Sequence, residues 1–138
     1  MVGREFVGIE VEGLDEIRRK LSGRPAYVDP VKKALLESAL VAESDVKEHA
    51  PVDSGRLRAS VTHRLEAREL PRFAEVGTNV RYAIYLDRPK TRTPHYRRGP
   101  RRGQETAGWL SGVLERKAAE IRRFLEEAAR KIEKIWSS

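Results

Sequence analysis

The sequence predicts an α+β fold, a small antiparallel sheet packed by helices and followed by a long C-terminal helix. Three observations carry this. Apolar residues keep helical spacing from Val31 to Ala50, alternate with polar ones from Ala59 to Ala67, and step by four and three from Leu114 to Ile135. With 138 residues the chain suits a single domain, able to bury roughly two thirds of the surface its unfolded form exposes.

Each element has a local reason. Phe6 to Glu12 alternates well enough for a strand, which Gly13 breaks. Leu14 to Leu21 follows as a short helix with Leu14, Ile17 and Leu21 on one face, ended by Ser22-Gly23-Arg24-Pro25. Asp29-Pro30 reads as an N-cap with proline at the first helical position. Leu35, Ala39, Ala42, Val46 and Ala50 then share a helical face until Pro51 closes the run. After Val52-Asp53-Ser54-Gly55 the period changes. Ala59, Val61, His63, Leu65 and Ala67 alternate with polar residues, as a half-buried strand requires. Leu70-Pro71 turns the chain, and Phe73 to Thr78 returns antiparallel. Val80 to Leu86 is either a third strand or a short helix, which periodicity does not separate.

The segment from about 87 to 105 is rich in Pro and Gly and is expected to be an exposed, mobile loop. From about 106 to 136 a single helix of roughly 45 Å is expected, since each residue adds about 1.5 Å. Its stripe of Leu114, Ala118, Ile121, Leu125, Ala128, Ile132 and Ile135 forms three heptads. Leu114, Ile121, Leu125, Ile132 and Ile135 therefore either cover the sheet or mediate self-association.

Composition excludes several function classes. The chain has no cysteine, which removes disulfides and thiolate metal sites. No apolar run approaches the roughly 20 residues that span a bilayer. The first eleven residues carry Arg4, Glu5 and Glu10 without an apolar core, so no signal peptide is expected, and neither is a membrane partner. The net charge of +7 is concentrated. Arg88, Lys90, Arg92, Arg97, Arg98, Arg101 and Arg102 lie between Asp87 and Glu105, against those two acids alone. Such a loop suits phosphates or an acidic protein surface. Tyr96, among them, offers one ring for stacking on a base.

Catalytic patterns are missing. His49, His63 and His95 fall in different elements without metal-ligand spacing, and the glycines form neither a phosphate loop nor a dinucleotide fingerprint. Ser54 sits between Asp53 and Gly55 without a nucleophile elbow, as expected of a tight turn. The residues point to no enzyme, cofactor, metal or small-molecule substrate.

Two stretches carry a resemblance. Ala50-Pro51-Val52-Asp53-Ser54-Gly55-Arg56-Leu57-Arg58-Ala59-Ser60-Val61 is one, and Val76-Gly77-Thr78-Asn79-Val80-Arg81-Tyr82-Ala83-Ile84-Tyr85-Leu86 is the other. Together they resemble the gene-product-ten family of the siphophage Hong Kong 97, small tail-completion or minor tail proteins of tailed phages and prophages. The likeness is close from Asp29 to Leu86 and holds in outline elsewhere. Leu86-Asp87-Arg88-Pro89 and Thr106-Ala107-Gly108-Trp109-Leu110 depart from the usual family pattern.

The first motif reads physically as a corner. Pro51 stops a helix, Asp53 accepts local N–H groups, Gly55 takes a positive φ, and Leu57 anchors the new strand while Arg56 and Arg58 face outward. Gly77, Thr78, Tyr82 and Tyr85 mark the second segment. The resemblance implies a structural virion protein made in the host cytoplasm. Its implied place is the neck or tail, with head–tail connector and tail proteins as partners, a ring of copies, and nonspecific contact with packaged DNA. The competing expectation is a free nucleic-acid-binding module using the 87–105 loop. Neutralising about five phosphates would give a log–log salt slope of roughly −4.5.

Overall fold

The computed structural model describes residues 5–20, 25–51, 55–89 and 94–137. Strand β1 (Glu5–Glu10) leads through helix α1 (Leu14–Lys20) and a 3-10 turn (Pro25–Tyr27) into the 22-residue helix α2 (Val28–His49). A short helix α3 (Arg56–Ser60) precedes β2 (Thr62–Leu65) and β3 (Phe73–Thr78). Helix α4 (Tyr82–Asp87), a hairpin over 94–105, α5 (Val113–Arg116) and α6 (Ala118–Ser137) complete the chain. The expected α+β class is what the chain adopts.

The sheet is antiparallel in the order β1-β3-β2, with β3 in the centre. Val7 lies opposite Val76 and Ile9 opposite Ala74, while His63 and Leu65 flank the same two β3 residues from the other side. Because side chains alternate along a strand, this register puts Val7, Ile9, Ala74, Val76, His63 and Leu65 on one face. Helix α2 packs on that face, burying Val31, Leu35, Ala39, Ala42 and Val46. The outer face mixes charged residues with Phe6 and Phe73. Arg64 there donates to Glu75 at 2.6 Å and lies 5.2 Å from the centre of the Phe6 ring.

Helix α6 packs along α2 and runs antiparallel to it. Arg116, just before α6, meets Asp45 near the end of α2, whereas Ile132 lines a cleft with Val31 near its start. The heptad stripe is taken up within the chain. Ile121, Ala128 and Ile132 are buried, and Leu114, Leu125 and Ile135 pack partly buried against the same core.

Three local expectations are corrected and one open alternative is resolved. Helix α2 begins at Val28 rather than after Asp29, since the 3-10 turn leads into it. Asp29 still sits in the first turn, where a negative charge complements the helix dipole, and Pro30 still falls where no intrahelical N–H is needed. Residues 56–60 are helical rather than the opening of a strand, so the strand is shortened to Thr62–Leu65. The ambiguous segment after Val80 is a helix. Finally, the last helix starts at Ala118, not near Thr106. At about 1.5 Å per residue its 20 residues span roughly 30 Å, a length α2 accommodates without overhang. Turns occupy 106–112, where backbone and side-chain atoms of Asp87 draw the chain inward.

The turn between β2 and β3 is held by charge. Arg72 binds Glu66 through Nε at 3.2 Å and NH2 at 2.8 Å, and its backbone N–H donates to the same carboxylate at 3.0 Å. The Arg72 side-chain bonds hold the Glu66 carboxyl down to about 2 from an ordinary 4.5. A depressed acid contributes stability that is fully present above its unfolded value and lost as pH falls toward 2. A carbon-detected NMR titration should therefore place the Glu66 midpoint near 2, and Arg72→Ala should return it toward 4.5. An unchanged midpoint in the variant would refute the pairing.

Candidate functional site

The two motif segments meet where α3 approaches the end of β3. Gly55 adopts φ 80°, a left-handed conformation that glycine enters without a Cβ clash, and begins α3. Leu57 is then buried within α3, while Arg56 and Arg58 are exposed. Pro51 follows the last buried residue of the α2 run, Ala50, and Asp53 lies outside the described residues. Ser60 Oγ lies 2.6 Å from Thr78 Oγ1, and the Val80 N–H donates to that same hydroxyl at 3.1 Å. Thr78 is fully buried, and Gly77 is buried in the central strand between Phe6 and Thr62. These residues fasten α3 to the sheet and set the direction of α4. Tyr82 and Tyr85 instead remain 43% and 44% exposed on α4.

The basic segment forms a defined hairpin over 94–105 rather than an irregular loop. His95 bridges Glu105, the Tyr96 N–H donates to Gln104 O at 2.8 Å, and the Gly103 N–H donates to Tyr96 O at 2.9 Å. Tyr96 is half-buried and tied to α2. Its hydroxyl donates to His49 O at 2.5 Å, and burial raises its pKa above the ordinary 10. Arg101 donates to Glu48 O at 3.3 Å and to His49 Nε2 at 3.2 Å. Both side chains thus cap the unsatisfied carbonyl end of α2, where a cation also complements the helix dipole. His49 Nδ1 lies 2.9 Å from Asp45 O, a contact that needs Nδ1 to carry the proton. With Nε2 accepting from Arg101, the geometry selects the neutral Nδ1–H tautomer.

This anchoring divides the cations. Arg101 is spent on α2, whereas Arg97, Arg98 and Arg102 are exposed around the hairpin turn. Arg88 is exposed at the root of the segment, with Nε 3.8 Å from Asp87. Lys90 and Arg92 lie outside the described residues. The outcome is a basic turn on a fixed base, at the end of α2.

Three residues that hold this region escaped the sequence reading. Asp87 is 2% exposed, and its Oδ1 accepts from the Leu110 and Ser111 N–H groups at 2.9 Å each and from Ser111 Oγ at 3.2 Å. Asp45 is 3% exposed and receives Arg116 Nε at 2.9 Å and NH2 at 2.8 Å. Arg116 also donates to Gly108 O at 2.9 Å and Trp109 O at 2.7 Å. Gly112 makes the room for this, since a Cβ there would stand 2.7 Å from both the Arg116 guanidinium and Gly108 O. A signal existed for Asp45: it continues the stripe of Val31, Leu35, Ser38 and Ala42, where a charge must have a buried partner.

Among the described residues no three His, Asp or Glu side chains gather as a metal site would need, and no helix is long and apolar enough to cross a membrane. An acid-lined region lies at the opposite end of α2. There Glu10, Glu12 and Glu133 surround an apolar cleft of about 740 Å³ floored by Leu14, Val31, Leu125 and Ile132.

A family model described as "Bacteriophage HK97-gp10, putative tail-component" matches residues 15–87, from α1 through α4. No curated protein and no solved structure shows significant similarity to the chain.

Proposed function

Since the chain belongs to the bacteriophage HK97-gp10-like family of tail components, matched over residues 15–87, we propose that it completes the tail and joins it to the head. It is a virion tail protein by family. The finer reading makes it a non-enzymatic structural subunit of the neck that acts as a ring of copies. The observation that carries this reading is the anchored basic hairpin. Arg97, Arg98 and Arg102 project from a turn that Tyr96 and Arg101 fix to α2, so the cations are presented in a set geometry with little left to order on docking. Acidic surfaces of connector proteins and the phosphates of DNA in the channel are the partners that such a turn suits.

Deleting the gene from an inducible phage tests the role directly. Negative-stain electron microscopy of the lysate should show filled heads and separate tails. Intact, infectious particles would overturn the joining role. The second reading, a free nucleic-acid binder, is favoured by the same exposed arginines. It requires duplex DNA binding at low salt that falls steeply as salt rises. The triple variant Arg97→Glu, Arg98→Glu, Arg102→Glu should leave the fold intact and, under the joining role, reproduce the unjoined particles.

A further inference from the structure

We infer that the basic hairpin of one copy docks into the acid-rimmed apolar cleft of the next, so that the chain assembles head to tail. The inference rests on the hairpin's being a docking element and names its partner as a second copy of this chain. The two surfaces lie at opposite ends of the molecule. Tyr96 and Arg101 fix the hairpin to Glu48 and His49 at the end of α2, whereas Val31, near its start, lines the cleft. The 22 residues of α2 separate them by roughly 30 Å, at about 1.5 Å per residue.

Their chemistry is complementary. Among the described residues that line the cleft, the charged ones are Glu10, Glu12 and Glu133. Arg72 stands near enough to Glu10 to sense its charge, but its guanidinium is committed to Glu66. The hairpin turn offers the reverse, with Arg97, Arg98 and Arg102 exposed around an exposed Pro100. Trp136 also lines the cleft. Leu14, Val31, Leu125 and Ile132 give the proline and the arginine stems an apolar floor.

A contact between two different patches is heterologous, and repeated copies of it close into a ring or run on as a filament. A ring placed by such contacts needs no self-complementary surface. It also leaves the heptad stripe where the fold uses it, between α6 and α2.

The test uses the full chain in two variants. One carries Arg97→Glu, Arg98→Glu and Arg102→Glu; the other carries Glu10→Lys, Glu12→Lys and Glu133→Lys. All six side chains are exposed, and matching thermal melts will show that both variants fold. Sedimentation velocity at low salt should show wild-type chain in concentration-dependent oligomers that dissociate as salt screens the contact. Each variant alone should associate at least about tenfold more weakly. Mixed together, they should recover salt-sensitive oligomers, because the Arg hairpin of one meets the Glu-rimmed cleft of the other, and the reversed Glu hairpin meets the reversed Lys-rimmed cleft. Wild-type chain that stays monomeric at every concentration would overturn the inference, as would association untouched by either variant. So would a hairpin variant that loses only DNA binding. Particle morphology in the gene deletion reports on the joining role separately, so failure of one reading is not mistaken for failure of the other.

Discussion

Replacing Arg116 with alanine is expected to cost the chain about 3 kcal/mol of stability. Removing one partner of a buried ion pair leaves the other charge uncompensated, which typically costs about 3–5 kcal/mol. The lower end applies because the Arg116 side chain is 28% exposed, so water relieves part of the penalty. Three attachments are lost together: the Asp45 carboxylate, Gly108 O and Trp109 O. Lysine should not rescue, since one ammonium does not reproduce the planar fork that spans a carboxylate and two carbonyls. Chemical denaturation of wild type, Arg116→Ala, Asp45→Ala and the double variant forms a cycle. The double variant should be clearly more stable than the sum of the two single losses predicts. Strict additivity would mean that the pair does not act as a unit.

Asp87→Ala should cost about 2 kcal/mol, for a different reason. Asp87 Oδ1 is the acceptor for the Leu110 and Ser111 N–H groups, and Leu110 is fully buried. A buried donor left without an acceptor costs about 1–3 kcal/mol, and loss of a capping side chain typically costs about 1. Asp87→Asn is the informative companion. It keeps one carbonyl oxygen for those N–H groups, while Oδ2, which makes no hydrogen bond and lies 3.8 Å from Arg88 Nε, is the atom exchanged. Asparagine should therefore recover most of the stability that alanine loses. Equal losses in the two variants would show that the carboxylate charge, not its acceptor geometry, holds the 106–112 turns in place.

Both residues bear on docking because they sit under the hairpin. Asp87 and Thr106 bracket it: the Thr106 hydroxyl donates to Leu86 O at 2.8 Å, and its N–H donates to Pro94 O at 3.0 Å. A variant that loosens this root should weaken presentation of Arg97, Arg98 and Arg102 without touching any of them.

Much of the arrangement was legible in residue order alone. Period and punctuation marked α1, the body of α2, the β2–β3 pair and the two motif segments, because each of these depends on neighbours a few residues away. The charge count located the basic turn, and the motif pair pointed to the phage tail family. The helical reading of 82–87, the helix at 56–60 and the late start of α6 were not legible. Each is decided by a contact far along the chain: Ser60 with Thr78, Thr106 with Leu86, and Asp87 with Leu110 and Ser111.

The heptad stripe shows the division most clearly. Its spacing determined that Ile121, Leu125, Ile132 and Ile135 would share one helical face, whereas Leu114 falls in the separate α5, and a 3.5-residue repeat does not name the surface that covers it. Only the tertiary structure decided that α2 of the same chain does so, because Asp45 and Arg116 fix the two helices antiparallel. Likewise, the sequence by itself determined that seven cations cluster near one another. Which of them face outward depended on the open carbonyls at the end of α2, which claimed Tyr96 and Arg101 and left Arg97, Arg98 and Arg102 exposed.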